Sequence, residues 1–342
     1  MRAAVYYSNK DVRLQEMPVP KIGPDEVLVR VHACGICGSD VIEWYRKEKA
    51  PLVLGHEIAG TIEEIGNNVS GYRRGDRIAV AHHVPCNQCY YCQRGHYTIC
   101  HTLRNTNLDP GGFSELVRVP AINVDRGLFS IPEEVSFEEA SFTEPVACVL
   151  RALDTARFAP GDSVLVIGSG IAGLLFVSVT RALGARLIMA SDVVPFRIKA
   201  AKRFGADKSV AAGSDITAQL RQINEGRLAD LVIVSTGARK AQVQALECVQ
   251  KGGTVMFFAP TDAGVTIPVS INNLFFKNDI TLTTSYAGSP ADYGNALNLI
   301  AGGRIKVRDM ITHRLALTET AKGFELVARA GDSIKIIINP QK

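Results

Sequence analysis

The stretch Ser163 to Gly184, SVLVIGSGIAGLLFVSVTRALG, restricts the fold more than any other part of the chain. Its first residues form a short apolar run rich in β-branched side chains, which reads as a buried strand. The run ends in Gly168-Ser169-Gly170-Ile171-Ala172-Gly173, a G-x-G-x-x-G, and a helical stretch follows. No charge occurs between Ser163 and Thr180, so the length approaches that of a membrane span. The glycines argue otherwise, because they divide it into strand, tight turn and helix. Similar apolar runs recur at LIMASD (187–192), LVIVSTG (231–237) and TVMFFAP (254–260), with helical stretches such as 171–184 and 195–205 between them. Continuous apolar strands alternating with helices predict a parallel sheet covered on both faces.

In that setting the glycine motif carries chemistry. Gly168 permits the tight turn. Gly170 lets backbone N–H groups approach a pyrophosphate, and Gly173 lets helix and strand pack closely. The helix N-terminus then favours the phosphate charge. Asp192 ends the next strand, where a carboxylate accepts hydrogen bonds from a free adenosine ribose and repels a 2′-phosphate. NAD is therefore expected over NADP. Arg197, five residues on, reads as flanking the adenine side.

Residues 1–150 have another character. VLVRVHA (27–33), GTIEEIG (60–66), DRIAVAH (76–82) and FSELVRV (113–119) are short β segments separated by Gly, Pro and Asn turns. They predict an irregular β-rich domain with inserted loops. After about residue 290 the strand–helix repetition stops, and YGNALNLIAGG, THRLAL, ETAKGFELVARA and IKIIINP are expected to return to the first domain. A chain of 342 residues suits two domains. The expected division is 1–148 with 290–342, and 149–289 for the dinucleotide.

The N-terminus has no apolar signal core, so the eight cysteines point to a reducing compartment, the cytoplasm. There, spaced thiols bind metal more often than they crosslink. Cys86, Cys89, Cys92 and Cys100 fall in one short run, and four thiolates held that close favour a tetrahedral structural zinc. Such a site is closed to chemistry. An open one is suggested upstream by Cys37 in CGICGSD and by His56 and Glu57 in GHEIAGTIEEIGNNV, because three protein ligands leave a position for water or substrate. CGIC also suits a redox dithiol, but that motif belongs at a helix start in a βαβ setting. A net charge of +4 with mixed signs argues against nucleic acid and anionic membranes. His82, His83, His96 and His101 read as surface groups or neighbours of the metals. Trp44 and Tyr45 read as core or as a pocket wall.

With its motifs in this order, the chain resembles the zinc-containing medium-chain alcohol dehydrogenases over essentially its whole length. Gly55-His56-Glu57, Gly60, Gly66 and Val69 fit that family's zinc signature. CGICGSDV, Glu57 after His56, and Glu144-Pro145 are similar to the sorbitol (polyol) and threonine dehydrogenase branch. The resemblance implies an α/β fold: a β-rich GroES-like catalytic domain with a structural zinc lobe, and a Rossmann NAD domain with a doubly wound parallel sheet. It implies NAD, two zinc ions per subunit, a small-molecule alcohol substrate and a homo-oligomer, tetramer or dimer. Cys37, His56 and Glu57 are the implied holders of catalytic zinc, with Glu144 joining them or sitting beside them. Ser39 is implied to pass the substrate proton toward the nicotinamide ribose. Ala172, Asp192, Arg197, Phe258, Ala259, Ser285 and Tyr286 are implied NAD contacts.

The implied reaction is oxidation of a secondary alcohol, a polyol or cyclic polyol, to a ketone. An L-threonine 3-dehydrogenase-like or butanediol-type activity is the nearest alternative. A non-catalytic protein binding NAD and zinc is the alternative of another class. An amino-alcohol would need a carboxylate for its amine, from Glu115 or Glu144. One departure stands out. Many relatives carry a histidine three residues after the relay Ser or Thr, and here that residue is Ile42, which cannot carry a proton. Water, Glu43 or Glu144 would have to serve.

Overall fold

Strand Val27–Gly35 is buried along nearly its whole length, and the first unit of the structure is built around it. The computed structural model describes residues Met1–Lys342. This unit comprises Met1–Ala147 and Ala287–Lys342. Val27–Gly35 pairs antiparallel with Glu57–Ile65 and Leu116–Val119, and its C-terminal end pairs with Lys335–Asn339. The strand order is Ile311–Ala316, Lys335–Asn339, Val27–Gly35, Glu57–Ile65, Arg77–Val80, Leu128–Ser130. A smaller sheet joins Asp11–Glu16, Arg2–Ser8 and Leu52–Val53. Tyr6, Val29, Ile62, Phe113 and Phe324 lie in the shared core. The C-terminal tail supplies an interior strand, Lys335–Asn339.

Register matters more here than topology. Gly35 stands opposite Glu57 on one side and Ile337 on the other. The end of one strand, the start of the next and the last strand therefore meet at one point. The run expected at 76–82 stops as a strand at Val80. Beyond it, the carbonyls of Ala81 and His82 accept from Asn123 Nδ2 at 2.8 and 3.0 Å instead of from a ladder.

The second unit is Cys148–Tyr286. Its sheet is parallel throughout and runs in the order Lys208–Ala211, Leu187–Asp192, Ser163–Ile167, Ala229–Val234, Val249–Phe257, Thr281–Thr284. The order reverses at Ser163–Ile167, which is where an open α/β sheet forms its ligand crevice. The doubly wound architecture expected from the apolar alternation is present. The uncharged stretch resolves into strand Ser163–Ile167 and helix Ile171–Ala182. No helix of the protein is long and apolar enough to cross a membrane. The two outer strands, Lys208–Ala211 and Thr281–Thr284, were not expected. They are short and partly exposed, so they lack the continuous apolar signal of the inner ones.

Candidate active site and metal centres

Cys37, His56 and Glu57 converge in the first unit, with one ligand atom from each lying within 4.8 Å of the others. Cys37 follows the end of strand Val27–Gly35, and Glu57 opens the strand paired with it, so the register at Gly35 brings them together. Glu57 is 1% exposed, and its carboxylate is ion-paired with the ammonium of Lys335, also 1% exposed. Lys335 Nζ donates in addition to the Ile36 carbonyl at 3.2 Å. Burial alone would favour the neutral amine, but the Glu57 carboxylate and the Cys37 sulfur hold its pKa above the ordinary value. Only glycine fits at position 35, because a Cβ there would collide with Glu57 Oε2 and lie 2.6 Å from Lys335 Cε.

Asp40 is fully buried and organises the other side. Its Oδ2 accepts the Cys37 N–H at 3.0 Å, closing a capping box over the turn Gly38–Val41. Its Oδ1 lies 3.5 Å from both His56 Nδ1 and Arg46 Nη2. Burial works against a charged His56, yet Asp40, Cys37 and Glu144 push its pKa up to about 10. The position therefore attracts positive charge. Sulfur, nitrogen and oxygen donors this close, in a field that draws a cation, fit a single bound Zn²⁺.

The Ser39 hydroxyl donates to Cys37 Sγ at 3.3 Å. It also accepts from Arg46 Nη2 at 3.1 Å, while Arg46 Nε donates to the Ser39 carbonyl at 3.0 Å. Glu144 opens helix Thr143–Thr155, is 7% exposed, and acts electrostatically on both His56 and Lys335. Glu115 is committed elsewhere: it accepts from the Arg2 backbone N–H and Nε, both at 2.7 Å. It is removed from the candidates for holding a substrate amine.

Cys86, Cys89, Cys92 and Cys100 also bring their sulfurs within 4.8 Å of one another. The Cys86–Cys92 and Cys89–Cys92 sulfur separations are 3.9 and 3.5 Å. These bracket the edge of about 3.8 Å expected for a tetrahedron with Zn–S near 2.3 Å. Backbone N–H groups of Cys86 and Cys89 point at Cys100 and Cys86 sulfurs at 3.4 and 3.3 Å, which suits thiolates. The lobe has little else to hold it. Its helices are four, three and five residues long, and its buried apolar cluster is Cys92, Cys100 and Leu103.

In the second unit, Gly168 has φ of 94°, and a Cβ on Gly173 would collide with the Gly168 carbonyl. A Cβ on Gly170 would meet only Arg197 Nη1 within 4 Å, at 3.7 Å. The turn is thus open on the side where a phosphate could approach. Ala172 lies in the first turn of the helix it leads into. Asp192 accepts the Ser169 N–H at 2.6 Å and the Val194 N–H at 2.8 Å, so it latches the turn to the adjacent strand end. Phe258 packs edge-on against Phe176, with centroids 4.9 Å apart. The Phe258 and Ala259 N–H groups both reach the Val234 carbonyl, at 3.0 and 3.1 Å. Ser285 Oγ is buried without a hydrogen-bond partner, and Tyr286 is half-exposed.

Several of these groups escaped sequence reasoning. Lys335 left a trace, a lysine inside an otherwise apolar strand. Asp40 lay inside the CGICGSD motif without a role. Arg46 had no distinguishing mark. His82 and His83 stood out only as a doublet. They pack in series against His56 with tilted rings, at centroid distances of 4.8 Å for His56–His82 and 3.9 Å for His82–His83.

Comparison with known proteins agrees with this architecture. Residues 23–132 match the alcohol dehydrogenase GroES-like domain, and residues 172–302 match the zinc-binding dehydrogenase domain. A sorbitol dehydrogenase of Bacillus subtilis (strain 168) is 30% identical, covering 100% of this chain and 98% of the relative. An L-threonine 3-dehydrogenase of Pyrococcus horikoshii is 34% identical, over 95% and 94%. Among solved structures, a zinc-binding dehydrogenase of Sinorhizobium meliloti 1021 bound to NADP has a TM-score of 0.88, 27% identity and 99% coverage of both chains. An Escherichia coli CFT073 protein described as a short chain alcohol dehydrogenase (rspB), complexed with NADH, has a TM-score of 0.88, 26% identity and 99% coverage of both. The chain belongs to the zinc-binding, medium-chain alcohol dehydrogenase family. It is an oxidoreductase of the CH–OH group that uses zinc and NAD(P).

Two outcomes follow from the geometry. Lys335→Met leaves Glu57 buried without its counter-ion and should cost about 3–5 kcal/mol of stability. The loss in urea unfolding should be larger for chelator-treated than for zinc-replete protein; equal losses would mean that Glu57 does not face a metal. Cys89→Ser should release metal from the lobe and lower the melting temperature by about 5 °C or more. Unchanged metal content and melting would argue against a zinc there.

Proposed function

We propose that the protein is an NAD-dependent zinc dehydrogenase that oxidises a secondary alcohol, a polyol or cyclic polyol, to a ketone. The observation that carries this is the convergence of Cys37, His56 and Glu57 within 4.8 Å, with the Ser39 hydroxyl on the thiolate. When bound, zinc at this centre polarises the substrate hydroxyl, and the nicotinamide accepts the hydride. Cys37, His56 and Glu57 hold that ion, and Cys86, Cys89, Cys92 and Cys100 hold a second, structural one. With His56 Nδ1 turned to Asp40, its Nε2 is the nitrogen left for the metal.

Ser39 orients the reacting hydroxyl. Arg46 clamps both its side chain and its carbonyl, and a guanidinium does not give up a proton. The route onward therefore runs neither through Arg46 nor through Ile42. We assign the proton's next stop to Glu144, supported by its burial and its pull on His56 and Lys335. In the second unit, Gly168, Gly170, Ala172 and Gly173 form the phosphate turn. Asp192 and Arg197 flank the adenosine, and Phe258, Ala259, Ser285 and Tyr286 line the nicotinamide side. The charge of Asp192 at the strand end supports NAD over NADP.

An amino-alcohol substrate is the second reading, motivated by the likeness to L-threonine 3-dehydrogenase. With Glu115 tied to Arg2, only Glu144 of the two expected carboxylates remains for an amine. Eight cysteines with no disulfide among them support a cytoplasmic setting. We also infer a homo-oligomer, tetramer or dimer. The support is the outer strand Thr281–Thr284, which lacks charge and proline, together with Ile271 and Phe276, which precede it in the chain and are 66% and 64% exposed.

NADH formation with polyols, cyclic polyols, threonine, butanediol and simple alcohols, with and without a chelator, tests the reading. The expected result is chelator-sensitive turnover, strongest with a polyol. No turnover of any hydroxyl compound by metal-replete protein would sink it. Asp192→Asn keeps the size of the side chain and removes its charge. It should raise the NADP/NAD ratio of kcat/KM by about tenfold or more; an unchanged ratio would remove Asp192 from the ribose site.

A further inference from the structure

The turn that carries Ser39 has more tethers than its fold requires. Asp40, fully buried, accepts the Cys37 N–H at 3.0 Å at one end of the turn. At the other end Asn9 Nδ2 donates to the Val41 carbonyl at 2.7 Å, and Asn9 Oδ1 accepts from the hydroxyl of the buried Tyr6 at 2.9 Å. These two fix the backbone of Gly38–Val41. Arg46 adds a third tether, and it differs in kind because it reaches a side chain. The short helix Glu43–Arg46 brings the guanidinium back over the turn. Its Nε donates to the Ser39 carbonyl at 3.0 Å and its Nη2 to Ser39 Oγ at 3.1 Å. The guanidinium also lies over the Tyr45 ring, 4.7 Å from the centroid, and 3.5 Å from Asp40 Oδ1. At 14% exposure, the Arg46 side chain is held on several sides and cannot turn without losing these contacts.

We propose that Arg46 is a positioning residue for the reaction, which fixes the direction of the Ser39 hydroxyl. The inference rests on the dehydrogenase reading above. A serine hydroxyl has one proton to donate and two lone pairs to accept with. Arg46 fills one lone pair through a bond from a charged donor, which is stronger than a neutral one. The Ser39 proton lies toward Cys37 Sγ at 3.3 Å. One lone pair is left over, and it is the acceptor to which the reacting hydroxyl of a substrate can donate. Without Arg46 the hydroxyl is free to rotate among its staggered positions, and the acceptor faces the substrate in only a fraction of them. Arg46 keeps its own protons throughout, so it orients the relay without joining it. A lysine keeps the charge but lacks the planar fork that spans a carbonyl and a hydroxyl at once.

The test is a double-mutant cycle on the zinc- and NAD-loaded enzyme, with D-sorbitol, butane-2,3-diol and L-threonine as substrates. Arg46→Met should lower kcat by about tenfold or more. In a Ser39→Ala background the same substitution should change kcat by less than about twofold, because the hydroxyl that it orients is gone. A loss acting through Asp40 or through the stability of the turn would instead be equal in the two backgrounds. Arg46→Lys should stay within about threefold of Arg46→Met. Independently of turnover, the two ¹⁵Nη signals of Arg46 in the wild-type protein should be separate, as for a guanidinium held against rotation, and should merge in Ser39→Ala. Equal losses in the two backgrounds, full activity of Arg46→Lys, or Nη signals indifferent to the Ser39 hydroxyl would overturn the proposal. If the wild-type enzyme oxidises none of the three compounds, it is the dehydrogenase reading that fails, and the Nη signals alone decide on Arg46. The same signals decide if Arg46→Met does not fold.

Discussion

The ion pair between Glu57 and Lys335 is the interaction on which the candidate site depends. A carboxylate as deeply buried as Glu57 is costly to take out of water unless a cation faces it. Lys335 provides that cation, and Gly35 provides the space in which the two meet. Asp40 does the complementary work on the other side, between His56 and Arg46. Each potential ligand is thus backed by a charge of opposite sign or by a hydrogen bond. Orientation of Glu57 is a property of the sheet register, because Glu57 and Lys335 come from the two strands paired at Gly35.

Much of the fold was readable from residue patterns, and the physical reason is burial. Ser163–Ile167 and Leu187–Asp192 are covered on both faces, so they show as unbroken apolar runs. Lys208–Ala211 and Thr281–Thr284 lie at the sheet margins, are partly wet, and leave no such run. Metal-ligand candidates were readable because Cys, His and Glu in close spacing are chemically distinctive. The groups behind them were not. Lys335 is separated from Glu57 by 278 residues, and only strand pairing joins them. Arg46 and His82 act through contacts that no local spacing encodes.

The two candidate metal centres differ in what surrounds them. The Cys37 centre is set into the main core of its unit, beside Cys34, Ile36 and Ile58. The four-cysteine lobe has almost no core of its own, so a metal bound there would carry much of its folding. Damage to the lobe should therefore appear first in the integrity of the loop Cys86–Asn105, whereas damage to the other centre leaves a folded protein with a misplaced charge.

The position of Lys335 in the final strand also bears on how the chain is made. During synthesis, Cys37, His56 and Glu57 emerge early, together with the four lobe cysteines. The ammonium that neutralises Glu57 emerges 278 residues after it. Until strand Lys335–Asn339 has emerged, the nascent centre lacks its counter-ion and one neighbour of strand Val27–Gly35. The lobe has all its thiols by residue 100 and can take up metal well before then. The order of the residues thus separates in time the assembly of the two candidate sites, and it ties the Cys37 site to a strand that emerges long after its potential ligands.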